Sequence, residues 1–187
     1  MYLISAYFDE NTNKILKHLQ QRIADKTGND FMIRNNVMPH LTISAIEARN
    51  VDVLIPAFEK VCREKFLARG RINAAGLVYI NNTINIVSVG QLFPRVIYAA
   101  PVLNEYMMNL SISIYNEFAT IPETNISKFY QPYSWMPHIT LGKCLDKEQM
   151  KQAFAVLQDL FMPIDGWIAK IGLSTVNPYR EVLSVEL

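Results

Sequence analysis

Cysteine is scarce in this chain. There are two in 187 residues, Cys62 and Cys144, which do not make a disulfide framework. Charge of one sign is also lacking: 18 basic residues face 17 acidic ones, a formal charge of +1. That excludes a broad field for gripping a long polyanion, so a nucleic-acid partner would be a short piece or a terminus rather than an extended duplex. Long hydrophobic runs are missing as well, and no segment approaches the length of a membrane span. The opening MYLISAYFDE has a short apolar stretch without a basic flank and runs into Asp9 and Glu10, so it does not read as a signal peptide. A soluble, cytoplasmic protein is the expectation. No Gly-rich phosphate loop, Ser-His-Asp motif or carboxylate pair stands out.

What is present is ordinary globular material, 50% hydrophobic and 19% charged, enough for one large domain or two packed lobes. Residues 2–8 read as a strand. Thr12 can cap a helix carrying Ile15, Leu16, Leu19 and Ile23 and ending near Gly28. A strand is expected over 40–46, and a helix opened by Asp52 with Leu54, Phe58, Val61 and Phe66 on its buried side. Strands over about 70–80 and 83–90 would be joined by a tight turn at Asn81-Asn82. A helix from about Pro101 carries Leu103, Met107, Leu110, Ile114 and Phe118 on one face. After an aromatic loop, 120–136, come a strand over 138–145, a helix with an Asp146/Gln149 capping box, and two strands joined by residues 177–180.

Each half is thus roughly β-α-β-α-β, and the central strands open almost identically: VMPHLTIS over 37–44 and WMPHITLG over 135–142. A repeat of half the chain length points to duplication, with halves 1–80 and 83–187 forming two α+β lobes about an approximate two-fold axis. Alternation along a strand sets His40, Thr42 and Ser44 on one face with Leu41 and Ile43 on the other, and likewise His138 and Thr140 against Ile139 and Leu141. Histidine exchanges protons near neutrality, so one ring can accept a proton while the other donates. A threonine hydroxyl one pleat on can hold a phosphoryl oxygen. Two such pairs across a two-fold axis would bracket one phosphate, without a metal. A single strand histidine is usually incidental, but a chance match to Pro-His-aliphatic-Thr-aliphatic is on the order of one in ten thousand at average composition. Two of the three histidines carry it. His18, without a motif, reads as a surface residue.

The motifs His40-Leu41-Thr42 and His138-Ile139-Thr140 resemble those of the two-histidine (2H) phosphoesterase superfamily, in its bacterial 2′-5′ RNA ligase-like, or cyclic phosphodiesterase, branch. The resemblance spans the chain in motif and element order. It implies an α+β fold, bilobal and duplicated, with two antiparallel-rich sheets, helices outside and a central cleft between the lobes. It also implies metal-independent action on 2′,3′-cyclic phosphates, 2′-5′ linkages or related cyclic nucleotides, with catalysis by His40, Thr42, His138 and Thr140. Many members place a basic residue after the second motif, where Lys143 stands. Strict alternation turns Lys143 away from His138, and only a bulge or twist would bring it back.

Zinc is the rival for paired histidines. It wants three protein ligands, but Cys144 lies roughly 20 Å from His138 on an extended strand, and Cys62 reads as core. No metal or other cofactor is expected. Of the loop aromatics Phe129, Tyr130, Tyr133 and Trp135, the last two adjoin His138 and are candidates to stack on a base, although rings more often seal a core. Ser44 either adds a hydroxyl to the site or solvates a strand end. Tyr179 and Arg180 read as a hairpin tip. The expected partner is a small nucleotide or RNA terminus, with no long duplex and no membrane, bound by a monomer. The alternatives are a nucleotide-binding module with little turnover, and a scaffold in which the paired motifs are coincidence.

Overall fold

The computed structural model describes residues 1–64, 71–72, 78–79, 82–176 and 179–187. The strand order explains how two distant histidines meet. Strands β1 (Tyr2–Phe8), β2 (Leu41–Glu47), β5 (Thr83–Leu92), β6 (Val96–Pro101), β8 (Ile139–Gly142), β9 (Ile164–Thr175) and β10 (Arg180–Glu186) lie in one sheet, in the order β1-β2-β8-β6-β5-β9-β10. The short β7 (Asn125–Ile126) joins it beside β2. All these pairings are antiparallel, and β9 also pairs with β1, so the ladder returns to its start. β9 achieves this by length: Ile164–Trp167 pair with β5, while Ile168–Thr175 pair with β1. The two expected sheets are therefore linked, at β9 and again at one residue pair between β2 and β8. The α+β class and antiparallel character are as expected.

The helices cover the apolar side. Helix α1 (Glu10–Thr27) packs with α5 (Lys147–Leu160), α1 resting on β8 and α5 against β6. Helix α3 (Ile55–Cys62) packs with α4 (Glu105–Phe118), which rests on β2; a single turn, α2 (Phe31–Arg34), sits beside β8. Each helical pair thus takes one member from each half of the chain. The buried stripes follow the periodicity, with Leu16, Leu19 and Ile23 on α1 and Met107, Leu110, Ile114 and Phe118 on α4, whereas Ile15 is half-buried and Leu103 lies ahead of α4 and exposed.

Several boundaries move. α1 is capped by Asp9 rather than Thr12: one Asp9 oxygen accepts from the Thr12 amide at 3.0 Å and the other from its hydroxyl at 2.6 Å. Gly28 ends it at φ 68°, a left-handed turn that glycine adopts without strain. Pro101 closes strand β6 instead of opening a helix, and Asn104 caps α4. The single strand expected over 70–80 is two short ones, β3 (Arg71–Ile72) and β4 (Val78–Tyr79), paired with each other. β5 turns instead into β6, a strand the sequence reading missed. Asn81 and Phe66 lie outside the described residues. The Asp146/Gln149 capping box is present.

Candidate functional site

The two motif strands touch at one pair, Leu41 opposite Ile139. These residues are also equivalent in the repeat, so the approximate two-fold axis runs through that pair. Antiparallel register then aims His40 toward Thr140 and Thr42 toward His138. Leu41 and Ile139 are wholly buried, while both histidines are half-buried on the opposite side. The rings are close enough for the His138 charge to help lower the pKa of His40.

Both imidazoles are held the same way. His40 Nδ1 lies 2.7 Å from the Met38 carbonyl oxygen, and His138 Nδ1 lies 3.0 Å from that of Met136. A carbonyl only accepts, so each Nδ1 carries a proton, and each Nε2 is left to accept a proton in the neutral ring or to donate one in the imidazolium. The intervening Pro39 and Pro137 confine the preceding methionine to extended backbone, which sets the direction of its carbonyl. Among the described residues no side chain bonds to either Nε2 or to the hydroxyls of Thr42 and Thr140. Thr42 is nearly covered, at 8% exposure, and Thr140 half-buried.

Just past each threonine the strand carries an extra residue. Opposite β1, Thr42 pairs with Ser5 and Ser44 with Ile4, so Ile43 is inserted. Opposite β6, Thr140 pairs with Tyr98 and Gly142 with Ile97, so Leu141 is inserted. A bulge shifts the alternation by one, with opposite consequences in the two motifs. Ser44 moves off the histidine face: it is 2% exposed, opposite the buried Ile4, and its hydroxyl has no partner. That corrects the expectation that it shares a face with His40. Gly142 likewise turns inward, where an added Cβ would meet Ile97 and Leu145 at 3.1 and 3.2 Å.

Lys143 moves the other way, onto the histidine face, correcting the strict-alternation reading. Its charge reaches His40, and its Nζ lies 5.8 Å from the Phe31 ring centroid. The turn that holds it is fixed by the Cys144 carbonyl, which accepts from Arg95 at 2.7 Å and Asn29 at 3.2 Å.

Loss of solvent around the His40 ring pushes its pKa below the ordinary imidazole value; the Met38 carbonyl opposes this, while His138 and Lys143 add to it. His40 therefore stays neutral to lower pH than a free imidazole.

The remaining candidates separate. Trp135 is 6% exposed and donates from Nε1 to the Thr42 carbonyl at 3.0 Å. It offers no open ring face, so it is a structural residue rather than a stacking one. Gln20 does the same for the other motif, donating to the Thr140 carbonyl at 3.1 Å. Tyr133 is 84% exposed at φ 67° and has no ring contact to either histidine. Cys62 is buried, which pushes its thiol up to about 12. Among the described residues no group of three or more His, Cys, Asp or Glu is placed to hold a metal ion, and no helix is long and apolar enough to cross a membrane.

Sequence reasoning missed two tyrosines. Tyr7 on β1 lies 6.2 Å from the His40 ring centroid, and Tyr98 on β6 lies 5.7 Å from that of His138, edge to face. Their strands lack a motif, and only cross-strand register brings them to the site.

No known family model matches the sequence, and no curated protein matches it. Among solved structures, the chain is similar to Usb1 of Kluyveromyces marxianus, at 9% identity and a TM-score of 0.44, covering 100% of this chain and 97% of that one. The same protein with uridine monophosphate matches at 10% identity, with the same TM-score and coverage. Superposition this loose assigns neither a family nor an activity to the chain.

Proposed function

We propose that this protein is a metal-independent phosphodiesterase that opens 2′,3′-cyclic phosphates or cleaves 2′-5′ bonds in RNA ends or small nucleotides. One observation carries the reading. Two imidazoles stand beside one residue pair, each with Nδ1 held by a main-chain carbonyl and Nε2 free, and each with a threonine hydroxyl on the same face. This arrangement suits acid and base catalysis at opposite sides of one phosphorus.

In this reading His40 is assigned as the base, because burial favours its neutral form. Its Nε2 takes a proton from water as the water oxygen bonds to phosphorus. The bond from phosphorus to one ribose oxygen breaks, and that oxygen takes a proton from Nε2 of His138, which enters the step as the imidazolium and leaves it neutral. The product is a phosphomonoester with a free hydroxyl. Proton return between the rings through solvent restores the starting state. Thr42 and Thr140 hold the non-bridging oxygens, and Lys143 offsets the charge that builds on them.

The test is a screen of 2′,3′-cyclic nucleotides, 2′-5′ dinucleotides and cyclic-phosphate-ended RNA, with and without chelator, locating the phosphate in each product. Turnover that survives chelation and is lost in both His40→Ala and His138→Ala supports the reading. Retained turnover in either single variant would sink it. Nucleotide binding without turnover of any substrate would instead mark a binding module.

A further inference from the structure

We infer that Tyr98 is the platform on which the substrate's nucleobase stacks, placing the nucleoside on the His138 side of the phosphate. The inference rests on the reading that the histidine pair holds a phosphate. It starts from two cross-strand rows that the register makes equivalent. One runs Thr140, Tyr98, Gly90 across β8, β6 and β5. The other runs Thr42, Ser5, Gly172 across β2, β1 and β9. Both end in glycine, but only the first has an aromatic ring at its centre.

Gly90 shows how that ring lies. A Cβ there would be 2.4 Å from the Tyr98 hydroxyl oxygen and 2.5 Å from Cζ. The ring is therefore laid flat across the β5 backbone, a close approach that only glycine permits. Tyr98 is half-buried as a residue, so the exposure it keeps is on the side away from β5, and its ring meets His138 edge to face. One pleat further along, Ala100 faces Ser88, so nothing large rises beside the ring on that side. Among the described residues its hydroxyl has no hydrogen-bond partner, and the aromatic ring it meets is that of His138.

Tyr7, the ring beside the other histidine, is already occupied. It is 7% exposed, its hydroxyl is bonded to that of Tyr179 at 2.8 Å, and the Lys170 ammonium sits 4.8 Å over its ring. Its Cε2 lies 3.0 Å from where a Gly172 Cβ would stand. A base finds an open aromatic face at Tyr98 and none at Tyr7. Stacking of this kind is sequence-tolerant, because every base has a π-face.

Calorimetric titration tests this with two probes, adenosine 2′-monophosphate and its base-free counterpart, methyl riboside 2-phosphate. Wild type should bind the nucleotide more tightly by about 5- to 150-fold, the range of one stacked base. Tyr98→Ala should erase that gap while leaving the base-free Kd unchanged, and Tyr98→Phe should keep it. Gly90→Ala, which lifts the ring off β5, should narrow it. Equal affinity for the two probes in wild type would overturn the proposal. So would a Tyr98→Ala loss shared equally by both probes, or a gap erased by Tyr133→Ala instead. Because the readout is binding, absence of turnover would refute the phosphodiesterase reading without deciding this one.

Discussion

The His40 and His138 half-sites are built from the same words and end up doing different things. Both use Met-Pro-His, an Nδ1–carbonyl bond, a threonine one pleat on, a bulge after it, and a side-chain donor on the threonine carbonyl. The differences lie in what surrounds them. Around His40 the positions are sealed: Ser5 is 1% exposed, Tyr7 is pinned by Tyr179 and Lys170, and Ser44 is turned inward. Around His138 they are open: Tyr98 shows a face and Lys143 stands at the strand end. A duplicated motif therefore makes an asymmetric pair, in which solvent loss favours the neutral form of the first histidine and the second side is the one proposed to receive the ligand.

The largest expected effect tests whether the halves act as one unit. His40→Ala and His138→Ala should each cost about 10²–10⁴ in kcat. The double variant should lose little more than either alone, because groups acting in one transition state are not additive. Additive losses in single-turnover kinetics would mean that the two half-sites work independently.

Next come the donors on the threonine carbonyls. Trp135→Phe and Gln20→Leu each leave a carbonyl without its side-chain partner, and each should cost about 1–3 kcal/mol in urea unfolding. Unchanged stability in either variant would break the equivalence.

The bulges give a smaller, asymmetric effect. Gly142→Ser makes the second motif match the first, but its Cβ would press on Ile97 and Leu145, costing about 1–3 kcal/mol. Ser44→Ala removes a buried hydroxyl that has no partner. It should leave stability equal or slightly higher and activity unchanged, which thermal melts and a rate assay would check.

The smallest effect is in pH dependence. A base works when deprotonated, so the acidic limb of kcat/KM should fall below the ordinary imidazole value, because His40 is shifted down. Lys143→Met removes one cause of that shift, and the limb should move to higher pH. A limb that stays put or moves down would remove Lys143 from the vicinity of the working base.

Much of this was legible beforehand. Helical periodicity marked the buried faces of α1 and α4, since one apolar stripe per helix is a local property. The capping box at Asp146 was equally local. The paired motif placed each histidine near its threonine because the two lie within two residues of each other at the start of one strand. Strand β6 was not legible: its alternating burial, Ile97 and Ala99 inward with Tyr98 outward, is too short and too mixed to separate from the following helix.

By itself the sequence determined the half-site: a histidine at the mouth of a strand, a threonine one pleat on, the proline ahead of both, and the repeat that pairs them. Only the tertiary structure decided which residues complete it. The bulges that turn Ser44 inward and Lys143 outward depend on what β1 and β6 offer as partners, and a one-residue shift reverses every later side chain. Tyr98 reaches His138 across a strand boundary, over a glycine on a third strand, and no spacing along the chain encodes that meeting.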